Sequence, residues 1–174
     1  MTNSSSINIK LNESLDIILK RFCTKNCVLK RNFFSVDIYM VNKNTKVYNI
    51  KNINELKDYA IINDTNGNRS VTLHQEKDIS AKIYSIFLIK DLLYTLGYVE
   101  LMHINKDIYE FDYYGKHIFN IINVKSQGIF LSIKNTQIIN IDELFKMLDS
   151  LKISFDKSNI NFDIEQKEFE KIKK

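Results

Sequence analysis

The chain has 174 residues, of which 44% are hydrophobic and 26% charged, and a formal net charge of +4. That length holds one domain with a sizeable core, and the composition is that of an ordinary soluble protein rather than a disordered or fibrous one. No apolar run is long enough to cross a bilayer as a helix, and the lysines are interspersed with Asp and Glu, which disfavours a nucleic-acid surface.

The polar N-terminus lacks the basic and apolar regions of a signal peptide, so a cytoplasmic location is expected. Residues 1–5 are expected to be disordered, 6–162 to form a single domain, and 163–174 to be a charged tail, with 165–174 either a loose helix or disordered. Proline is absent while Asn, Ile and Lys abound, which reflects an AT-rich coding sequence more than a chemical role. Ile7-Asn8-Ile9-Lys10-Leu11 alternates apolar and polar residues, the pattern of a half-buried strand. Asn12 can cap a helix carrying Leu15, Ile18, Leu19 and Phe22, with Glu13 and Asp16 near its positive end. Cys23 and Cys27 are the only cysteines. No second pair completes a metal site, and helical i,i+4 geometry suits a disulfide badly, so they read as reduced thiols with at least one buried.

Two strand-like runs follow, 30–41 and 45–50, joined by Asn42-Lys43-Asn44. Residues 51–58 read equally as a helical turn or a loop. Residues 59–62 and 70–74 form a hairpin around Asp64-Thr65-Asn66-Gly67-Asn68, a turn by residue chemistry. Asp78 or Ser80 is expected to cap a central helix in which Ile83, Ile86, Phe87, Ile89, Leu92, Leu93 and Leu96 recur at helical spacing. Gly97 stops it, being free to enter the left-handed conformation. Runs 98–102, 107–113, 116–124 and 128–134 then read as a meander, with Tyr114-Gly115 as a tight turn. A helix over 142–151 starts at Asn140 or Asp142, and 155–162 is ambiguous, a last strand being one reading. So many antiparallel strands in a small α+β domain favour a closed or nearly closed barrel with flanking helices, which removes exposed sheet edges.

Several short motifs fall in one order. Leu92-Leu93-Tyr94-Thr95-Leu96-Gly97-Tyr98 ends a leucine-rich helix on Leu-Gly-aromatic, and Lys106-Asp107-Ile108-Tyr109 gives basic-x-x-Tyr. Val124-Lys125-Ser126-Gln127-Gly128-Ile129-Phe130 gives V-x-x-x-G-x-F, Val36-Asp37-Ile38-Tyr39 gives D-x-Y, and Arg69-Ser70 gives R-S. In these motifs the chain resembles the CYTH superfamily, which groups class IV adenylyl cyclases, thiamine triphosphatases and triphosphate tunnel metalloenzymes. The resemblance covers most of 6–150. It implies an eight-stranded antiparallel barrel whose tunnel holds a triphosphate on basic side chains and divalent metal on acidic ones.

On that resemblance Ser6 and Asn8 stand where the first strand has two glutamates, and Lys10 keeps the lysine. Ser132 and Lys134 stand where the last strand has paired glutamates, Ile121 or Ile122 near an expected aspartate, and Ile104 where a basic residue precedes Lys106. No K-x-R pair occurs where Lys46 and Lys51 flank 47–50. Residues 1–12 and 116–141 contain no Asp or Glu at all, so no register shift restores the acids. Lys10, Arg69, Lys106 and Lys134 are the candidates to bind phosphate; the resemblance places Lys10 and Lys106 inside the tunnel, and the bland reading of all four is solvated surface charge. Neither catalytic nor metal-ligating residues are assigned. His74, His103 and His117 have no nucleophile or carboxylate beside them in sequence, and Tyr109, Tyr113 and Tyr114 read as wall packing before base stacking.

The reading is therefore a catalytically degenerate CYTH-like module that binds an anion or phosphorylated ligand, or a protein. The alternative is a divergent cyclase or triphosphatase acting on ATP, triphosphate or thiamine triphosphate, with acids drawn from Asp37, Glu100, Glu110 or Asp112. No cofactor is expected under the first; Mg²⁺ or Mn²⁺ enters only under the second. A nucleotide or polyphosphate and a protein remain the open partner classes.

Overall fold

The computed structural model describes residues 6–24, 26–134 and 140–173, with the side chains of Ser6 and Lys134 outside that description. Residues 1–5, expected to be disordered, also lie outside the described residues. In chain order the elements are β1 (Ser6–Leu11), α1 (Leu15–Phe22), β2 (Cys27–Asn42), β3 (Tyr59–Thr65), β4 (Asn68–His74), β5 (Ile79–Lys82), α2 (Ile86–Thr95), β6 (Tyr98–Tyr113), β7 (His117–Val124), β8 (Gly128–Lys134), α3 (Ile141–Ser150) and α4 (Ile164–Ile172). The strands form the expected eight-stranded antiparallel sheet, in the order β1-β8-β7-β6-β2-β3-β4-β5. The order ends on β1 and β5, so the ladder is open rather than closed by hydrogen bonds. No helix among the described residues is long and apolar enough to cross a membrane.

The chain divides into two compact units, Met1–Phe33 with Lys106–Asp163 and Phe34–Asn105 with Ile164–Lys174. In the first, Ile9, Leu11, Phe111, Phe119, Ile121 and Leu131 turn one face of the strands toward Ile18 and Phe22 of α1 and Leu144 and Leu148 of α3. Phe22 and Phe111 are fully buried with ring centroids 5.6 Å apart. In the second, Ile38, Met40, Ala60, Ile62 and Val71 pack against Leu93 of α2. Phe169 of α4 is fully buried, and Gln166 takes the Ile53 N–H at 2.8 Å while donating to the Lys51 carbonyl at 3.0 Å. Of the two readings of the charged tail, the helical one holds, and the helix is packed rather than loose.

Turn chemistry decides the hairpins. Asn66 and Gly67 take positive φ of 52° and 88°, the primed turn that matches strand twist, and Asp64 Oδ1 accepts the Gly67 N–H at 2.9 Å. Tyr114 takes φ 56° despite its side chain, with its N–H donated to the Asn26 carbonyl at 2.8 Å.

Several expectations are corrected. Residues 45–50 are not a strand: Val47–Asn49 is a short 3-10 turn with Tyr48 81% exposed, so the apolar run had no core to face. The central helix starts at Ile86, capped by Ser85, whose hydroxyl accepts the Leu88 N–H at 3.3 Å; Asp78–Ser80 instead lead into β5. The first helix begins after Ser14, not at Asn12. Runs 98–102 and 107–113 are one strand, β6, and 155–162 forms only isolated bridges, Asn8 to Asn161 and Leu11 to Phe155.

Cys23 is exposed and Cys27 buried. Burial, with the neighbouring Cys23 and Asp112 charges, pushes the Cys27 thiol up to about 11. Only the thiolate attacks disulfide reagents. One thiol per chain should therefore react rapidly with an aromatic disulfide at mildly alkaline pH, the second only after denaturant is added. Rapid reaction of both in the native protein would contradict this burial.

Candidate functional site

In the first unit, pairing across β1, β8, β7 and β6 sets the site residue by residue. Ile9 pairs with Leu131, Leu131 with Ile121 and Ile121 with Tyr109, and the first three are 0% exposed beneath the helices. One residue along each strand the side chains turn to the opposite face. There Asn8 pairs with Ser132, Ser132 with Asn120 and Asn120 with Glu110, a polar row across four strands.

This row holds unmet hydrogen-bond capacity. Asn8 Nδ2 donates to the Phe162 carbonyl at 3.0 Å, while its Oδ1 is shielded from solvent without a partner. Asn120 Oδ1 is likewise buried and unpartnered, so two acceptors flank the Ser132 hydroxyl. Shielded acceptors of this kind ordinarily have a donor, and a ligand hydroxyl or an ordered water supplies one.

The lysines lie at the other end of the same face. Lys10 leans over Gly128: a Cβ there would sit 3.3 Å from Lys10 Cε, and Gly128 also takes a φ of 122°, so glycine is required twice. Gly128 pairs with Val124, and Val124 with Lys106. Two inter-strand steps, about 10 Å, therefore separate the strand position under the Lys10 side chain from that of Lys106. Of the sequence-predicted phosphate ligands, Lys10 and Lys106 thus share one face, together with Asn8 and Ser132, which stand where the resemblance has glutamates. Lys134 is in register with Ser6, and its side chain lies outside the described residues. Asn120 escaped the sequence reading; its signal was a lone amide in the apolar run Ile118–Ile122.

Carboxylates near this face are committed. Glu110 pairs with Arg31 at 3.1 Å and Asp112 with Lys30 at 3.2 Å. In the second unit, Glu100 bonds Lys90 at 2.9 Å and His103 at 3.2 Å. The Lys90 hydrogen bond, then its charge and His103, hold the Glu100 carboxyl below its usual range against opposing burial. Asp37 Oδ1 accepts from Asn63 at 2.7 Å. Among the described residues no three His, Cys, Asp or Glu side chains gather as metal ligands. Amides, a hydroxyl and ammonium groups do not fit the carboxylate-held divalent cation that the resemblance implies.

Arg69 lies in the second unit. Its Nε donates to Asp64 at 3.1 Å and Nη1 to the Tyr84 carbonyl at 2.9 Å. By register it shares the face of Ile62 and Val71 rather than that of its neighbour Ser70. It borders a cavity of about 620 Å³ with Asn63, Thr65, Asn68, Ser70 and Lys82. Behind that cavity the Ser35 and Thr65 hydroxyls lie 3.1 Å apart, and Thr65 donates to Asn63 at 2.8 Å. His74 stacks on Tyr59 at 4.5 Å and bonds Asp78 at 3.1 Å, and Tyr109 donates to Asp107 at 3.0 Å, while His117 stacks on Phe119 at 6.4 Å with its Nδ1 buried and without a hydrogen-bond partner.

Neither a family model nor a curated protein matches the sequence. Solved structures do. The PH1819 protein of Pyrococcus horikoshii OT3 is 19% identical, with 95% of this chain and 96% of that chain covered at a TM-score of 0.58. A Hippeastrum protein, HpAC1, described as a candidate adenylyl cyclase with a dominant triphosphatase activity, is 8% identical over 95% and 94% at 0.64. A candidate adenylate cyclase of Vibrio parahaemolyticus is 9% identical over 96% and 98% at 0.57.

Proposed function

The chain has the CYTH-type fold, and we propose that it uses this fold to bind a phosphorylated ligand without metal-dependent turnover. The observation that carries the reading is the shared face of Lys10 and Lys106 beside the row Asn8, Ser132 and Asn120. Two ammonium groups attract phosphate, and the unmet amide oxygens suit a ligand that also bears a hydroxyl donor. Strands β1, β7 and β8 bring no carboxylate, Glu110 and Asp112 are ion-paired, and Lys10 acts electrostatically on the exposed carboxylate of Asp156.

Thermal denaturation with sodium tripolyphosphate and chelator tests it. Ligand bound only to the native state at ~100 times its Kd stabilises by about 2.7 kcal/mol, which for this chain length is a rise of roughly 5–10 °C. The rise should vanish in Lys10→Ala and in Lys106→Ala. An unmoved melting temperature sinks the binding reading. The enzymatic alternative wins if ATP, tripolyphosphate or thiamine triphosphate with Mg²⁺ or Mn²⁺ releases phosphate, pyrophosphate or cyclic AMP and Lys106→Ala abolishes that release.

A further inference from the structure

Strand β5 ends the sheet order, and all four of its residues are exposed. Its pairing with β4 runs Ser70 to Lys82, Val71 to Ala81, Thr72 to Ser80 and Leu73 to Ile79. The Ile83 N–H donates to the Arg69 carbonyl at 3.0 Å, which fixes the phase of the ladder. In an antiparallel pair the N–H and C=O of alternate residues point the same way. Ile79, Ala81 and Ile83 therefore bond β4, while Ser80 and Lys82, and Asp78 if the extended chain is followed back, direct theirs outward. No strand among the described residues takes that edge. An unpaired edge of this kind is a template for another strand.

The edge is complementary to itself. We propose that two copies of this chain pair through β5, antiparallel, about a two-fold axis at Ser80. In that register Ser80 faces Ser80, Ile79 faces Ala81, and Asp78, whose Oδ1 also meets His74 of its own chain at 3.1 Å, faces Lys82 at both ends. Each outward-pointing residue then exchanges a pair of backbone hydrogen bonds, hydroxyl meets hydroxyl, apolar meets apolar, and acid meets base. Sliding by two residues sets Lys82 or Asp78 against a serine and forfeits backbone bonds. That charge match selects a second copy over a foreign strand, which needs only backbone.

The apolar side chains around the seam are on the side that fits. Ile79 and Ala81 are in register with Leu73 and Val71, which face α2. Ile79 is 60% exposed there, Phe87 and Leu88 of α2, the helix packed on that face, are 73% and 66% exposed, and Tyr84 in the connecting bend is 97% exposed. These four expose on the order of 500 Å², against about 800 Å² per partner in a standard interface, with the strand supplying the rest. A two-fold axis perpendicular to the sheet sets both α2 helices on the same face, flanking the seam.

Sedimentation velocity tests this. The wild-type chain should be dimeric at high micromolar concentration. Asp78→Lys and Lys82→Asp should each raise the dimer dissociation constant at least tenfold while retaining the wild-type circular dichroism. Mixing the two variants should restore a dimer, because each supplies the charge the other lacks at both ends of the seam. Ser80→Pro, which removes an N–H that β4 does not use, should give a folded monomer. A monomeric wild type, a wild-type dimer constant in the single variants or in Ser80→Pro, or a mixture that stays monomeric overturns the proposal.

Discussion

Ile9→Asp is expected to leave the chain unfolded or insoluble, the largest loss from any single change on β1. Ile9 is 0% exposed, and so are its partner Leu131 and the next residue across, Ile121. An ionised carboxylate there has no cation to meet, and stripping it of water costs several kcal/mol even after relaxation. A domain of this kind has about 5–15 kcal/mol in all. Lys10→Gln, one residue along on the opposite face, should stay within about 1 kcal/mol of the wild type. Urea midpoints and soluble yield read both. A one-residue slip of β1 would exchange its faces and reverse the two outcomes, so the pair of variants tests the register that aligns Asn8 with Ser132.

That register was legible because Ile7, Ile9 and Leu11 alternate with Asn8 and Lys10 and nothing else in the strand competes. The Asn66-Gly67 and Tyr114-Gly115 turns and the helix stop at Gly97 were legible for the same reason: a positive φ leaves few residue choices, and three of those glycines take 88°, 67° and 91°. The long strands were not. β6 runs unbroken from Tyr98 to Tyr113, and the two compact units divide it between Asn105 and Lys106, so its environment changes midway and no single alternation spans it. Helix α2 misled in another way. Phe87, Leu92 and Leu96 belong to its helical apolar pattern, yet they are 73%, 52% and 61% exposed, while Leu93 is buried. A helix apolar nearly all round has no stripe to say which side faces the sheet. The missed strand β5, Ile79–Lys82, is short and wholly exposed, so composition gives it no strand signature; only its pairing with β4 reveals it.

The site was legible as a set of identities, and its meaning came from adjacency. Sequence comparison could say that Ser6, Asn8, Ser132 and Lys134 stand where acids were expected; only the ladder shows Asn8 and Ser132 facing one another with Asn120 completing the row. Likewise Arg69 carries the expected residue type but lies in the second unit, bonded to Asp64 and the Tyr84 carbonyl, on the face of Ile62 and Val71. A motif fixes the residue, while the pairing fixes the direction in which it points.

Introducing two acids at positions 8 and 132 is therefore expected to have a large and conditional effect. In Asn8→Glu/Ser132→Glu, two carboxylates are directly opposed across β1 and β8, with Cβ atoms about 5 Å apart. The amide oxygens of Asn8 and Asn120 are already shielded from solvent, so the repulsion is weakly screened. One of the pair should then hold its proton above the unfolded value of about 4.3. With the folded pKa raised, the folded state binds more protons than the unfolded chain between the two values, and stability falls as pH rises through that window. The variant should approach the wild type near pH ~4 and trail it by about 1–3 kcal/mol at neutral pH, a drop in melting temperature of roughly 3–10 °C. Mn²⁺ should recover much of that loss at neutral pH, because it binds the opposed carboxylates only in the folded chain; the wild type should show no comparable response. Equal destabilisation at both pH values with no metal response would mean that positions 8 and 132 do not share a face. Recovery by Mn²⁺ would mean that the backbone at positions 8 and 132 can support a cation site once an amide and a hydroxyl are replaced by carboxylates.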